Sequence, residues 1–271
     1  MPYQPSYNSY ELDRQRRRYL YGYYDDWMNP YGTRWSRGYV PRLSGDTKPS
    51  FVSFTSLAAP KAARKAHKKA EKQLNKPEPN LELAAQHLQE AISIYPEYAA
   101  AWALLGRVQH RAGDSESAAE SLERSIEIDP KYLGAYEPLA GLAVEEKRWD
   151  DLLRLSDEML RINPLFTLGH YYKGGALIQK GDGDGGEKAL REALSTPDAK
   201  LFPESHYMLA ELYRAQNDVE LAAREYRLYT AAPPRSPSWE QAQRRLQQWE
   251  DSGVIEGPSA KKKRKKPAES R

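Results

Sequence analysis

Between residues 61 and 250, apolar residues recur three and four apart in stretches that end at glycine, proline or short polar turns. That spacing predicts amphipathic helices. Pro96, Pro130 and Pro164 stand 34 residues apart, each closing a helical stretch: AISIYPEY, SIEIDPKY and MLRINPLF. A 34-residue period predicts stacked helix–turn–helix units. The clearest unit is AAAWALLGRVQHRAGDSESAAESLERSIEIDP. In it Trp102, Leu105, Gly106 and Gln109 share one face of a first helix. Gly113-Asp114 is the predicted break, because glycine accepts left-handed dihedrals and aspartate caps a following helix. Ala118, Leu122, Ser125 and Ile126 form the inner face of a second helix.

Three more units follow this one. Tyr136, Leu139, Ala140, Ala143 and Leu152 carry the next, with Lys147 in place of the interhelical glycine. His170, Gly174, Leu177, Gly181, Gly186, Leu190 and Ala193 make a weaker unit, extended by STPDAKLFPES. His206, Leu209, Ala210, Tyr213, Ala222, Tyr226, Tyr229 and Pro234 make the last. Upstream, residues 61–96 read as a degenerate first unit on Ala62, Ala66, Ala70, Leu74, Ala84, Leu88, Ala91 and Ile92. Trp239, Ala242, Leu246 and Trp249 predict a capping helix over 238–250, expected to cover the Tyr213 and Tyr226 side of the last unit.

The pattern of Trp102, Leu105, Gly106, Ala118, Leu122 and Pro130 resembles the tetratricopeptide repeat, although Gln109 stands where that family favours an aromatic residue. The resemblance implies an all-α, right-handed superhelical solenoid of about five helix pairs plus a C-terminal capping helix. It also implies a non-enzymatic module that holds a peptide or helix of a partner in its concave groove. The junction of FVSFTSLAAPKAARKAHKKAEKQL with IYPEYAAAWALLGRVQ is similar to bacterial, acidobacterial-type members of the family.

Charge divides the chain more sharply than its net +3 suggests. Residues 61–76 hold seven basic side chains against one acidic, and residues 256–271 seven against two, whereas residues 77–255 hold 19 against 30. Residues 1–56 form a Tyr/Arg-rich arm expected to be disordered, and residues 251–271 a disordered basic tail containing KKKRKK. Either end could contact nucleic acid or an anionic surface, or simply stay solvated. Nucleic-acid association through these termini is the alternative function. The repeat domain itself is expected over 57–250.

No run of eighteen apolar residues exists, so no transmembrane segment is expected, and MPYQPSYNSYELDRQRRR lacks the apolar stretch of a signal peptide. A cytoplasmic location is expected from these features, or envelope association if the true N-terminus differs, and a monomer is expected. With no cysteine there is no thiolate metal site and no cysteine nucleophile. GxxxxGK[ST], HExxH and GxSxG are all missing. GDGDGGE begins like a calcium loop but offers Gly186 and Ala193 where further ligands belong, so an interhelical turn is the expectation. Neither a cofactor nor a metal is expected.

Function therefore rests on the groove. On each first helix, the face turned away from the packing residues supplies the candidates. These partner-binding residues are Arg107, His110 and Arg111, then Glu137, then Tyr171, and finally Tyr207, Glu211 and Arg214. Arg107 and Arg111 lie one turn apart and are expected to receive a carboxylate. Tyr171 and Tyr207 are expected to offer stacking area.

Overall fold

The computed structural model describes residues 52–231 and 237–256. Most of the arm expected over 1–56, and the KKKRKK segment of the tail, lie outside these residues. Twelve α-helices and no strand occur among the described residues. A short α1 (Thr55–Ala58) precedes five pairs: α2 (Lys61–Leu74) with α3 (Leu81–Ile94), α4 (Ala99–Ala112) with α5 (Ser115–Ile128), α6 (Leu133–Glu145) with α7 (Trp149–Ile162), α8 (Thr167–Gln179) with α9 (Gly183–Ser195), and α10 (Glu204–Ala215) with α11 (Val219–Thr230). α12 (Pro237–Asp251) closes the stack. This is the expected layout of five pairs and a cap.

Each pair after the first is joined by the same kind of turn. After α4, Gly113 takes φ 91° and Asp114 caps α5 by accepting from the Ser117 N–H at 3.1 Å. The Asp114 N–H reaches back to the Gln109 carbonyl, which satisfies an otherwise orphaned group at the helix end. Lys147, Gly181 and Asn217 hold the corresponding left-handed position in the other three turns, at φ 57°, 87° and 61°. Asp182 and Asp218 likewise cap α9 and α11. Within GDGDGGE, Gly181 and Asp182 make the interhelical turn and Gly183 begins α9.

Small residues set the separation within a pair. A Cβ on Gly106 would stand 2.7 Å from Leu122 Cγ and 2.8 Å from the Ala118 carbonyl oxygen, so only glycine lets α4 lie this close to α5. Two apolar clusters result, one spanning α2 to α4 and a larger one running from α4 to α12.

The ends differ from the sequence reading in three respects. Packing begins before residue 57: Ser53 and Thr55 are buried, the Phe54 N–H donates to Asp129 at 3.1 Å, and Thr55 Oγ1 accepts from the Ala99 N–H at 3.1 Å. Polar side chains achieve this anchoring, and hydrophobic periodicity does not register them. At the other end, residues 252–256 fold back on the stack, where Arg227 donates to the Glu256 carbonyl at 2.8 Å. The cap covers Tyr207, Tyr226 and Tyr229 rather than Tyr213: Trp249 packs on Tyr226, and the Tyr207 hydroxyl donates to Gln241. Tyr213 instead hydrogen-bonds Glu187 and Arg191 of the preceding pair.

Candidate functional site

First helices α4 and α6, and again α8 and α10, approach one another more closely than successive second helices do. The stack therefore curves with its first helices on the inside. Every candidate residue lies on one of these first helices.

Arg107 and Arg111 sit one turn apart on α4, both partly exposed. His110 is tied across to the next first helix, its Nε2 standing 2.8 Å from Glu145 Oε2 on α6. Glu137, near the start of α6, is half-buried and makes no hydrogen bond among the described residues. Burial pushes its carboxyl up to about 7, against the opposing pull of the Arg107 charge. Arg107 also acts on Tyr132, whose hydroxyl is held near 12 by burial. Arg107 and Glu137 thus form one electrostatic unit across two helices.

The tyrosines depart from expectation. Tyr171 is fully buried, its ring 5.8 Å from that of Tyr172 and 6.2 Å from Phe202. Tyr207 is buried beneath the cap, its ring 5.2 Å from Tyr229. Neither can offer open stacking area. The reason is geometric: close stacking of the first helices turns this position into a packing site. Glu211 accepts from Arg214 Nε at 2.9 Å and Nη2 at 2.7 Å, and from the Tyr226 hydroxyl. The last pair therefore spends these candidates on its own assembly.

Tyr172 was not among the candidates. It is fully buried on α8, and its hydroxyl has no hydrogen-bond partner among the described residues. Burial raises its pKa, and the charges of Glu137 and Glu145 on the neighbouring α6 raise it further. Its place beside Tyr171 in HYYKGG gives no periodic signal, because a hydroxyl on a packing face looks like any aromatic residue.

A second polar network ties the last two pairs together. Glu225 on α11 is 2% exposed, with His206 Nδ1 at 2.7 Å and Arg191 Nη1 at 3.9 Å. A buried carboxylate of this kind survives because it is paired. No group of three or more His, Cys, Asp or Glu suited to a metal occurs among the described residues. Nor is any described helix long and apolar enough to cross a membrane.

Residues 79–136 and residues 171–237 match family profiles described as tetratricopeptide repeat. No curated protein matches the chain in sequence. Several solved bacterial structures share its fold. PilF of Pseudomonas aeruginosa is 18% identical, with a TM-score of 0.60 over 71% of this chain and 86% of that one. A MamA fragment from Desulfovibrio magneticus RS-1 is 16% identical, with a TM-score of 0.56 over 68% and 98%. The thermophilic protein TTC0263 of Thermus thermophilus is 21% identical, with a TM-score of 0.51 over 72% and 100%. Identities this low establish likeness of fold alone.

Proposed function

The chain is a tetratricopeptide-repeat protein, and on that footing we propose that its concave face holds an extended segment or helix of a protein partner. The family is in general a protein-interaction module. One observation carries the reading for this chain: the Glu137 carboxyl, half-buried on an inner helix, makes no hydrogen bond among the described residues. Unmet polar groups at a half-buried position cost stability, and a ligand that supplies the missing bonds recovers it. Arg107 and Arg111 would receive a carboxylate of the partner in bidentate geometry, and Glu137 a donor group beside it. The role is that of a monomeric, non-enzymatic scaffold without cofactor, working in the cytoplasm.

The test is double replacement, Arg107→Ala with Arg111→Ala, followed by capture of partners from cell extract. Affinity should fall by about 1–3 kcal/mol per truncated anchor while thermal stability changes little. Unchanged capture with lowered stability would assign both arginines to the fold alone.

A further inference from the structure

The outer face of α2 carries a cationic stripe without counterpart elsewhere in the array. Its register on the repeat follows from packing. Ala63, Ala66 and Ala70 of α2 are buried, and lie on their helix as Ala99, Trp102 and Gly106 lie on α4. In that register Lys65, Lys68 and Lys72 occupy the positions that Ala101, Leu104 and Val108 occupy on α4, where they pack on the preceding pair. On α2 these three are exposed, and so are Lys61 and Arg64. A face that buries apolar residues in the next unit is here built entirely of cations.

Three observations separate this stripe from an ordinary solvated surface. First, none of Lys61, Arg64, Lys65, Lys68 or Lys72 forms an ion pair among the described residues. By contrast, Arg124, Arg148, Arg161, Arg191, Arg214 and Arg227 each stand within 3.0 Å of a carboxylate. Second, solubility alone does not call for one sign of charge. The cap at the other end shows Glu240, Gln243, Arg244, Gln247, Gln248 and Asp251 to solvent, which is a mixed surface. Third, the segment leading into α2 exposes apolar side chains: Val52 is 59%, Phe54 62% and Leu57 78% exposed. These are among the most exposed large apolar residues described.

We infer that the N-terminal end face of the array, Lys61, Lys65, Lys68 and Lys72 together with exposed Phe54 and Leu57 of the segment leading into α2, is a docking surface for an anionic lipid bilayer. From Lys61 to Lys72 the stripe runs about 16 Å along a straight helix, which suits a flat, negatively charged plane. Lysine stems can lie along the interface while their ammonium groups meet lipid phosphates. Phe54 and Leu57 supply apolar groups for the acyl boundary. A nucleic-acid backbone would satisfy the lysines equally but offers nothing to Val52 and Leu57, so the bilayer is favoured.

Flotation of the full chain with vesicles of phosphatidylcholine, with and without phosphatidylserine, tests this. The wild-type chain should float only with phosphatidylserine vesicles, and less as salt rises. The quadruple variant Lys61→Gln, Lys65→Gln, Lys68→Gln, Lys72→Gln should partition at least about twentyfold less, at about fivefold per neutralised cation before saturation. Its circular dichroism should be unchanged, because glutamine keeps helix propensity. Phe54→Ser with Leu57→Ser should lower partitioning about tenfold with all charges in place. Unaltered flotation of the quadruple variant would overturn the inference. So would a quadruple variant that keeps vesicle binding but loses single-stranded RNA in a parallel fluorescence-polarisation assay.

Discussion

A single recurring hydrogen bond explains why one position of each unit is large yet polar at its tip. Trp102 donates to the Pro96 carbonyl at 2.8 Å, and Tyr136 to the Pro130 carbonyl at 2.9 Å. His170 Nε2 stands 2.8 Å from the Pro164 carbonyl, so the same link recurs with a third side chain. Each spans six residues and ties a first helix to the proline that closed the preceding unit. Trp, Tyr and His thus stand in for one another because each has a flat apolar body and a polar tip. Tyr136→Phe removes only the hydroxyl. It should cost about 0.5–1.5 kcal/mol in urea unfolding, and no change would show the bond to be idle. His206 departs from the pattern because the longer connection before α10 moves the proline away, and buried Glu225 serves as its partner instead.

Glu137 belongs to the same scale. Its native pKa of about 7 lies above the ordinary 4.5, so between those values the native state holds a proton that the unfolded chain has released. Stability contributed by the neutral form is complete below about pH 4.5 and is lost as pH rises toward 7. Glu137→Gln should therefore be more stable than wild type by about 1–3 kcal/mol at about pH 8, and nearly equal to it at about pH 4. Thermal melts at the two pH values decide the matter. An equal difference at both would mean that the carboxyl is not held back by burial.

Among the elements, the interhelical turns show how local chemistry and global stacking agree. Gly113 and Gly181 adopt the left-handed conformation freely, whereas Lys147 at φ 57° and Asn217 at φ 61° adopt it at a cost. Lys147→Gly should raise stability by about 0.5–1 kcal/mol, and Gly113→Ala should lower it by about 1 kcal/mol. Destabilisation by Lys147→Gly in thermal unfolding would show that the lysine side chain outweighs its backbone strain.

These turns were legible in the sequence because Gly-Asp and the 34-residue prolines fix where each helix ends. The anchoring of Ser53 and Thr55 was not, because it depends on hydrogen bonds to Ala99 and Asp129, far along the chain. Periodicity sorts residues by face. It cannot tell an open groove position from one that the neighbouring first helix has already covered. Arg107 and Glu137 are partly exposed on their first helices, whereas Tyr171 and Tyr207, one residue past the large-residue position as Glu137 is, are buried packing residues.

At the scale of the whole molecule the array is acidic between its basic ends, and its inner wall changes character along its length. The section on α4 and α6 keeps charged groups partly exposed, whereas the section on α8 and α10 is closed by tyrosine packing and by the Glu211–Arg214 pair. A partner held on the concave side would thus be read chiefly at α4 and α6. Replacing exposed Glu145 on α6 and, separately, exposed Arg154 on the second helix α7 with a photo-reactive phenylalanine analogue tests this most directly. Irradiation in cells followed by mass spectrometry should give a defined cross-linked partner from position 145 and none, or only diffuse background, from position 154. The same partner captured equally from both positions, or from position 154 alone, would contradict recognition by the concave face.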